Sequence, residues 1–192
     1  LSLGVKIGET YTDYSQGSVR QTGGTYDLAL SGSGFFAVSV TDKAGEVHTR
    51  YTRDGRFHLT KDGLLVDADG NAVQGQNGNI TIDPSSKNVS ISATGQITAD
   101  GELVDTLNIV DFEDYDYLKK YGDTMYEPVD GATTKDAEGE ILQGYTEQSN
   151  VNVVREMVDM ITITRAYEAS QKVIHSYDSM LDKSVNQVGA LK

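Results

Sequence analysis

The chain has 192 residues, a formal net charge of -13, 38% hydrophobic and 23% charged residues, and no cysteine. That length suits one sizeable domain, or one domain with an appendage. So acidic a surface repels phosphate backbones and anionic lipid, which argues against nucleic-acid and membrane-surface partners. Disulfides and thiolate metal sites are excluded, no apolar run approaches the roughly 18 residues of a transmembrane helix, and no signal-peptide pattern opens the chain.

Residues 1–26 are polar, with a weak alternation at Val5, Ile7 and Tyr11, and read as an extended segment along another surface. From Asp27 the pattern sharpens. Leu28-Ala29-Leu30 is apolar, Gly32-Ser33-Gly34 is a tight turn, and Phe35–Val40 is a strand. Val47–Thr52 and Arg56–Leu59 follow as strands, then Leu64-Leu65-Val66. Three Asp-Gly steps, at 54–55, 62–63 and 69–70, punctuate them as hairpin turns, since glycine takes the positive φ such turns need. Further strands are predicted at Asn79–Ile82, Val89–Ile91, Gln96–Thr98, Leu103–Phe112 and Ile141–Tyr145. Residues 113–140 read as acidic and irregular, with Tyr115, Tyr117, Tyr121 and Tyr126 as candidate anchors. The 20 glycines against two prolines fit this many short strands. The expectation is a mainly β chain with a long C-terminal α-helix, in which a compact β meander or barrel-like domain precedes an extended, coiled-coil-type helix. The division expected is 1–26, 27–147 and 148–192.

The final segment is different. Asn150 or Asn152 can cap a helix, and no glycine or proline interrupts 151–188. At about 1.5 Å per residue that is a rod of roughly 50–55 Å. Val153, Met160, Tyr167, Ile174, Leu181 and Val188 recur every seven residues and are all apolar. A companion line, Met157, Thr164, Gln171, Asp178 and Val185, is mixed. The steps of four and three make a heptad seam, which asks for another helix. Val154, Val158 and Ile161 widen the apolar face near its start. The candidate interface is Val153, Met157, Met160, Tyr167, Ile174, Leu181, Val185 and Val188. The same stripe could instead fold back on the β domain.

Catalytic chemistry has no foothold. His48, His58 and His175 lack metal-ligand spacing. Asp67-Ala68-Asp69-Gly70-Asn71 resembles the first residues of a calcium loop but sits among strands, where a turn is expected. No nucleophile elbow, phosphate loop or dinucleotide fingerprint occurs, and Arg53 beside Asp54 reads as a structural pair. No cofactor or metal is expected. The competing classes are a β-rich enzyme with a helical tail, which needs a cleft of convergent carboxylates, and a free β-rich binding module.

Several stretches together resemble one family. Leu30-Ser31-Gly32-Ser33-Gly34-Phe35-Phe36-Ala37-Val38 is similar to the L-x-G-x-G-F-F-x-V signature of bacterial flagellar basal-body rod and hook proteins. Tyr51–Phe57 with Gly63–Val66 is similar to that family's Y-T-R-D-G-x-F segment and the turn after it, and Ser15-Gln16-Gly17 with Gln21-Thr22-Gly23 to a third element. Gln143-Gly144-Tyr145 and Ser149–Glu168 match its carboxy-terminal signature, with Thr164 standing where the family often has glutamine. The matches run in order through nearly the whole chain.

The resemblance implies a structural, non-enzymatic subunit of the flagellar rod, the drive shaft from motor to hook. It implies passage through the flagellar export apparatus and helical stacking with itself and other axial proteins. The short stretch between Val66 and Leu142 suggests a distal- or proximal-rod protein, with a short hook-like axial protein as the alternative. Family members begin with an amino-terminal helix that pairs with the carboxy-terminal one. The chain opens on Leu1, so a fragment or processed form lacking that helix is expected.

Overall fold

The computed structural model describes residues 11–42 and 44–188, with side chains through residue 186. It divides into a β-rich unit ending at Asn150 and a second unit starting at Val151.

In the first unit, β1 (Val19–Gln21) precedes β2 (Leu28–Gly32) and β3 (Phe35–Thr41). Leu28, Ala29, Leu30 and all of Phe35, Phe36, Ala37 and Val38 are buried. Burial of consecutive residues, not alternate ones, means that both faces of these strands are covered. β4 (Val47–Thr52) returns antiparallel along β3, from Thr41 opposite Val47 to Phe36 opposite Thr52. β5 (His58–Leu59), β6 (Leu65–Val66) and β7 (Ala72–Gly75) wind to the other side of β3, where Val38 faces Val73. β8 (Gly78–Asn79) pairs back on β7. Ile80 and Ile82 beyond it are fully buried, although only part of the predicted strand forms.

Gly63 and Gly70 take φ of 83° and 88°, as their Asp-Gly turns require. Gly55 serves a different need. A Cβ there would lie 1.9 Å from the Leu28 carbonyl oxygen. Its own carbonyl accepts the Leu28 N–H at 2.9 Å. The glycine permits close approach of two backbones and not a hairpin.

β9 (Val89–Ile91), β10 (Gln96–Ala99) and β11 (Glu102–Thr106) make a separate three-stranded sheet. Its β10–β11 turn places both Asp100 and Gly101 at positive φ, the two-residue turn whose twist suits the flanking strands. β12 (Ile109–Phe112) then crosses to β3. The predicted strand Leu103–Phe112 is thus two strands in two sheets. At the break, the Leu107 N–H goes to the Gly95 carbonyl and the Asn108 N–H to the Gln74 carbonyl.

Residues 113–140 are more regular than expected. A 3-10 turn at Tyr115–Tyr117 leads to a hairpin of β13 (Leu118–Tyr121) and β14 (Met125–Pro128), and β15 (Thr134–Asp136) follows. β14 pairs with β4 and β15 with β12. Tyr115 and Tyr126 are anchors, packing with Tyr14 around Phe35, Phe112 and Leu118. Tyr117 and Tyr121 stay exposed, with Arg50 stacked 4.8 Å from the Tyr121 ring. The predicted closing strand is also divided. β16 (Gly139–Gln143) pairs with β2, Gly144 turns at φ 81°, and β17 (Tyr145–Glu147) pairs with β1.

Among the described residues these strands form four sheets, the largest of ten strands. The ends of that sheet, β13 and β5, do not pair with each other, and β2 bonds to β16, not to β3. The mainly β chain with a long C-terminal helix is therefore present, but the barrel-like expectation is corrected. The main core gathers Leu28, Leu30, Phe36, Phe57, Leu65 and Val73 with the isoleucines of the flanking strands.

The second unit is α1 (Val153–Lys183), followed by a π-helical turn at Ser184–Val188. Asn152 caps it, its side chain accepting from the N–H groups of Val154 and Arg155 at 3.1 and 3.2 Å. Thirty-one residues span about 46 Å.

Asp111 is the most deeply buried charged residue among those described in the β-rich unit, with none of its surface exposed. Its Oδ1 accepts from the Tyr115 hydroxyl at 2.7 Å and from the Phe112 N–H at 2.9 Å. Lys135 Nζ stands 3.2 Å from its Oδ2. Burial pushes the Asp111 carboxyl up, but bonds from Tyr115, Ser33 and the Phe112 N–H, with Lys135, outweigh it and hold the pKa below the ordinary 3.8. Burial and the bond to Asp111 push the Tyr115 hydroxyl up to about 12. A depressed carboxyl stabilises the fold above its unfolded pKa and loses that contribution as pH falls through the folded value. Thermal unfolding between about pH 6 and pH 2 should show this loss. Asp111→Asn should cost ~2 kcal/mol at neutral pH and give a flatter acid limb.

Candidate assembly site

α1 carries six of the eight predicted interface residues, and the π-helical turn after it carries Val185. Val153, Met157, Met160, Tyr167, Ile174, Leu181 and Val185 are each more than half exposed. The side chain of Val188 lies outside the described residues. Around a straight helix a heptad line drifts by about 20° per heptad, so a seam this long stays on a partner only by supercoiling.

Thr164, the departure within the carboxy-terminal signature, has its polarity folded away. Its Oγ1 donates to the Met160 carbonyl at 2.8 Å, as Thr162 does to Val158 at 2.9 Å. The mixed line therefore presents a methyl at 164.

The seam is not the whole apolar surface of the helix. Ile163, Val173, Tyr177 and Met180 are also more than half exposed. At about 100° per residue, Val173 and Met180 turn away from their seam neighbours Ile174 and Leu181 by more than a right angle. Val173 and Met180 are themselves a heptad apart and follow Ala166 by the same step. This second line escapes a search for the strongest stripe, although the same seven-residue step finds it. Charge is balanced as well. In 151–192 five basic residues face five acidic ones, and Lys6 offsets Glu9, so the net -13 falls on residues 11–150.

The β-rich unit has a neck where the chain arrives and leaves. β1 and β17 pair antiparallel, with Val19 opposite Glu147 and Gln21 opposite Tyr145. The Gln148 N–H extends the pairing to the Ser18 carbonyl at 2.8 Å. Asn150, one of the two predicted caps, instead donates its side-chain amide to the carbonyls of Asp13 and Ser15 at 3.1 and 3.0 Å. Gln16 bonds across to β2, giving its amide to the Leu30 carbonyl and accepting the Gly32 N–H. A cleft of about 750 Å³ opens beside the neck, lined by Tyr14, Arg20, Arg53, Tyr126 and Glu147 among others.

Arg53 does not pair with Asp54 as the sequence suggested. Asp54 holds Arg56, 2.7 Å away. Arg53 reaches Glu147, with Nε 3.1 Å from its Oε2, and its Nη1 donates to the carbonyls of Gly32 and Gly34 at 2.9 and 2.7 Å. The partners are 94 positions apart, so no local spacing could disclose them.

Asp67 behaves as a turn residue, accepting the N–H groups of Asp69 and Asn71. On the β3–β4 hairpin, His48 Nε2 lies 3.6 Å from Asp42 and 3.8 Å from Glu46. These three offer ligand atoms within 4.8 Å of one another. One oxygen of Asp42 is already engaged by the Ala44 and Glu46 N–H groups, and the bond from Glu46 heads the causes that lower its pKa.

Gly17 tests the neck. A Cβ at this position would lie 1.8 Å from the Gln148 carbonyl oxygen. Gly17→Ala should force the two strands apart and cost about 1–3 kcal/mol. Thermal unfolding and the amide spectrum of 145–150 measure both effects.

The family described as "Flagellar hook protein FlgE/F/G D1 domain" matches residues 29–99, and that described as "Flagellar basal body rod FlgEFG protein C-terminal" matches residues 142–188. The chain is similar to the flagellar basal-body rod protein FlgG of Buchnera aphidicola subsp. Schizaphis graminum, 36% identical over 95% of this chain and 73% of that protein. FlgG of Agrobacterium fabrum is 34% identical over 94% of the chain and 71% of its own length. FlgF of Caulobacter vibrioides is 34% identical over 93% and 72%. The pair Arg53 and Glu147 thus joins one matched region to the other. The chain belongs to the flagellar basal-body rod protein family.

Proposed function

We propose that this rod subunit is built into the basal-body shaft through α1, whose heptad seam packs against helices of its own and neighbouring axial subunits. The exposed seam is the observation that supports this reading. A side chain such as Ile174 or Leu181 gains about 1.5–3 kcal/mol when buried, and it gains it when a partner helix arrives. Folding and assembly are then coupled.

The charge distribution supports the same arrangement. The neutral helical segment carries no net repulsion into a bundle, while the acidic β-rich units repel one another and face outward. Repetition of one heterologous contact yields an open filament. The second apolar line, Ala166, Val173 and Met180, supplies a face for a further helix. An amino-terminal helix of the same protein is the partner we assign to the seam, and the flagellar export apparatus is its route out of the cell. The role is structural, with torque transmitted by packing and not by chemistry.

Ile174→Asp combined with Leu181→Asp tests the seam. Each change removes about 1.5–3 kcal/mol of burial and adds a charge to desolvate. Basal bodies isolated from cells carrying the pair should lack completed rods, and motility should be lost. Unfolding of the β-rich unit should stay unchanged. Normal rods with both aspartates in place would sink the proposal.

A further inference from the structure

Both strands of the neck hang on one carboxylate. Glu147 accepts the Gly17 N–H of the incoming segment through Oε1 at 2.8 Å. It accepts Arg53 Nε through Oε2 at 3.1 Å. Arg53 in turn grips the carbonyls of Gly32 and Gly34. Those two glycines flank the turn into β3, the strand with the most continuous burial. Arg53 also lies 6.0 Å from the centre of the Phe35 ring. That ring packs edge-on against Tyr14 of the incoming segment and against Tyr115 and Tyr126. Tyr14 meets the same two tyrosines at 4.9 and 5.4 Å. The segment 113–140, for which the sequence suggests no role, therefore braces the neck at Tyr14 while Arg53 holds it at Glu147.

A lone extended strand leaving a domain is a flexible tether. A two-stranded ribbon bonded to a buried strand is a stiff one, because bending it must break several bonds together. Arginine is suited to the task, since its planar fork meets the carboxylate and two carbonyls at once; a lysine ammonium is a single point. We infer that Arg53 and Glu147 are positioning residues that lock the two strands of the neck onto the β-rich unit, so that mechanical load on that unit is borne by a stiff ribbon and not by a single strand. This inference rests on the reading of the chain as a rod subunit. The route is Asn150, Glu147, Arg53, the Gly32–Gly34 turn and β3, with Tyr14 wedged alongside.

Hydrogen exchange on the full chain, paired with rotation measured in the flagellum, tests the joint. In Arg53→Lys the Gly17 and Gln148 amides should exchange roughly ten- to a hundredfold faster, the range expected for losing bonds to a charged group. Val38 and Val73, in the core strands, should keep their protection. Glu147→Gln should do the same and is the second variant where Arg53→Lys yields no folded protein. Cells carrying either variant should build rods in normal number, yet rotate more slowly in viscous medium at unchanged unloaded speed. Exchange rising equally at Val38 and Val73, or failure of both variants to fold, makes the pair part of the general fold and overturns the inference. So do a closed neck in both variants, and an open neck with rotation under load unaffected. Rods that still form in cells lacking the chain altogether would instead defeat the rod reading.

Discussion

Strand β3 sets the terms for the β-rich unit. With Phe35, Phe36, Ala37 and Val38 all buried, it needs cover on both faces and hydrogen bonds on both edges. The chain meets that demand from distant parts. β4 lies along one edge, while β7 and β12 share the other. Phe36 packs on Phe57 within the main core, and its neighbour Phe35 on Phe112 within the second. Two adjacent phenylalanines thus divide the interior between them, by the simple alternation of a strand. The chain passes from β2 to β3 through only Ser33 and Gly34, and Gly32 and Gly34 take positive φ there. The same turn frees the two carbonyls that Arg53 takes.

The acidic balance acquires a location in the fold. Every unit of net charge belongs to residues 11–150, and the helical segment is neutral. A helix with apolar side chains on more than one side and no net charge is suited to being surrounded. The β-rich unit is suited to solvent, its exposed lysines at 119 and 120 guarding the open edge of β13. The two parts of one chain are thus adapted to different surroundings, and the neck is where those surroundings meet.

Much of this was legible in the sequence, for identifiable reasons. The helix announced itself because 3.6-residue periodicity accumulates over many turns and Asn152 supplies its cap. β3, β4 and the Asp-Gly turns at 63 and 70 were legible because turn chemistry is local. What local patterns could not carry was anything decided by distant backbone. Gly55 looked like another turn and is a point of contact with Leu28. Leu103–Phe112 looked like one strand because nothing in it signals the change of sheet at Leu107. Residues 113–140 looked irregular because Lys119, Lys120 and the many acidic side chains mask an edge hairpin whose order comes from Tyr115 and Tyr126 packing on Tyr14 and Phe35. The barrel expectation failed for a related reason, since strand count does not specify closure. At the site, the seam residues were readable as a list, but the bond of Arg53 to Glu147 was not, and neither was the hidden hydroxyl of Thr164.

Gly144 gives the neck one more property. It turns a single run of chain from the β2–β16 sheet into the β1–β17 ribbon, with φ of 81° and as the single residue between the two strands. Its N–H donates to the Asp27 carbonyl, and its carbonyl receives the N–H groups of Thr22 and Gly23. The five-residue pairing of β16 with β2, anchored by buried Ile141 and Leu30, thereby dictates which residue of β17 meets which residue of β1. A slip of the ribbon by one position would have to drag a core strand with it. The alignment of the two strands of the neck is inherited from the interior, and every copy of the subunit closes its ribbon in the same register.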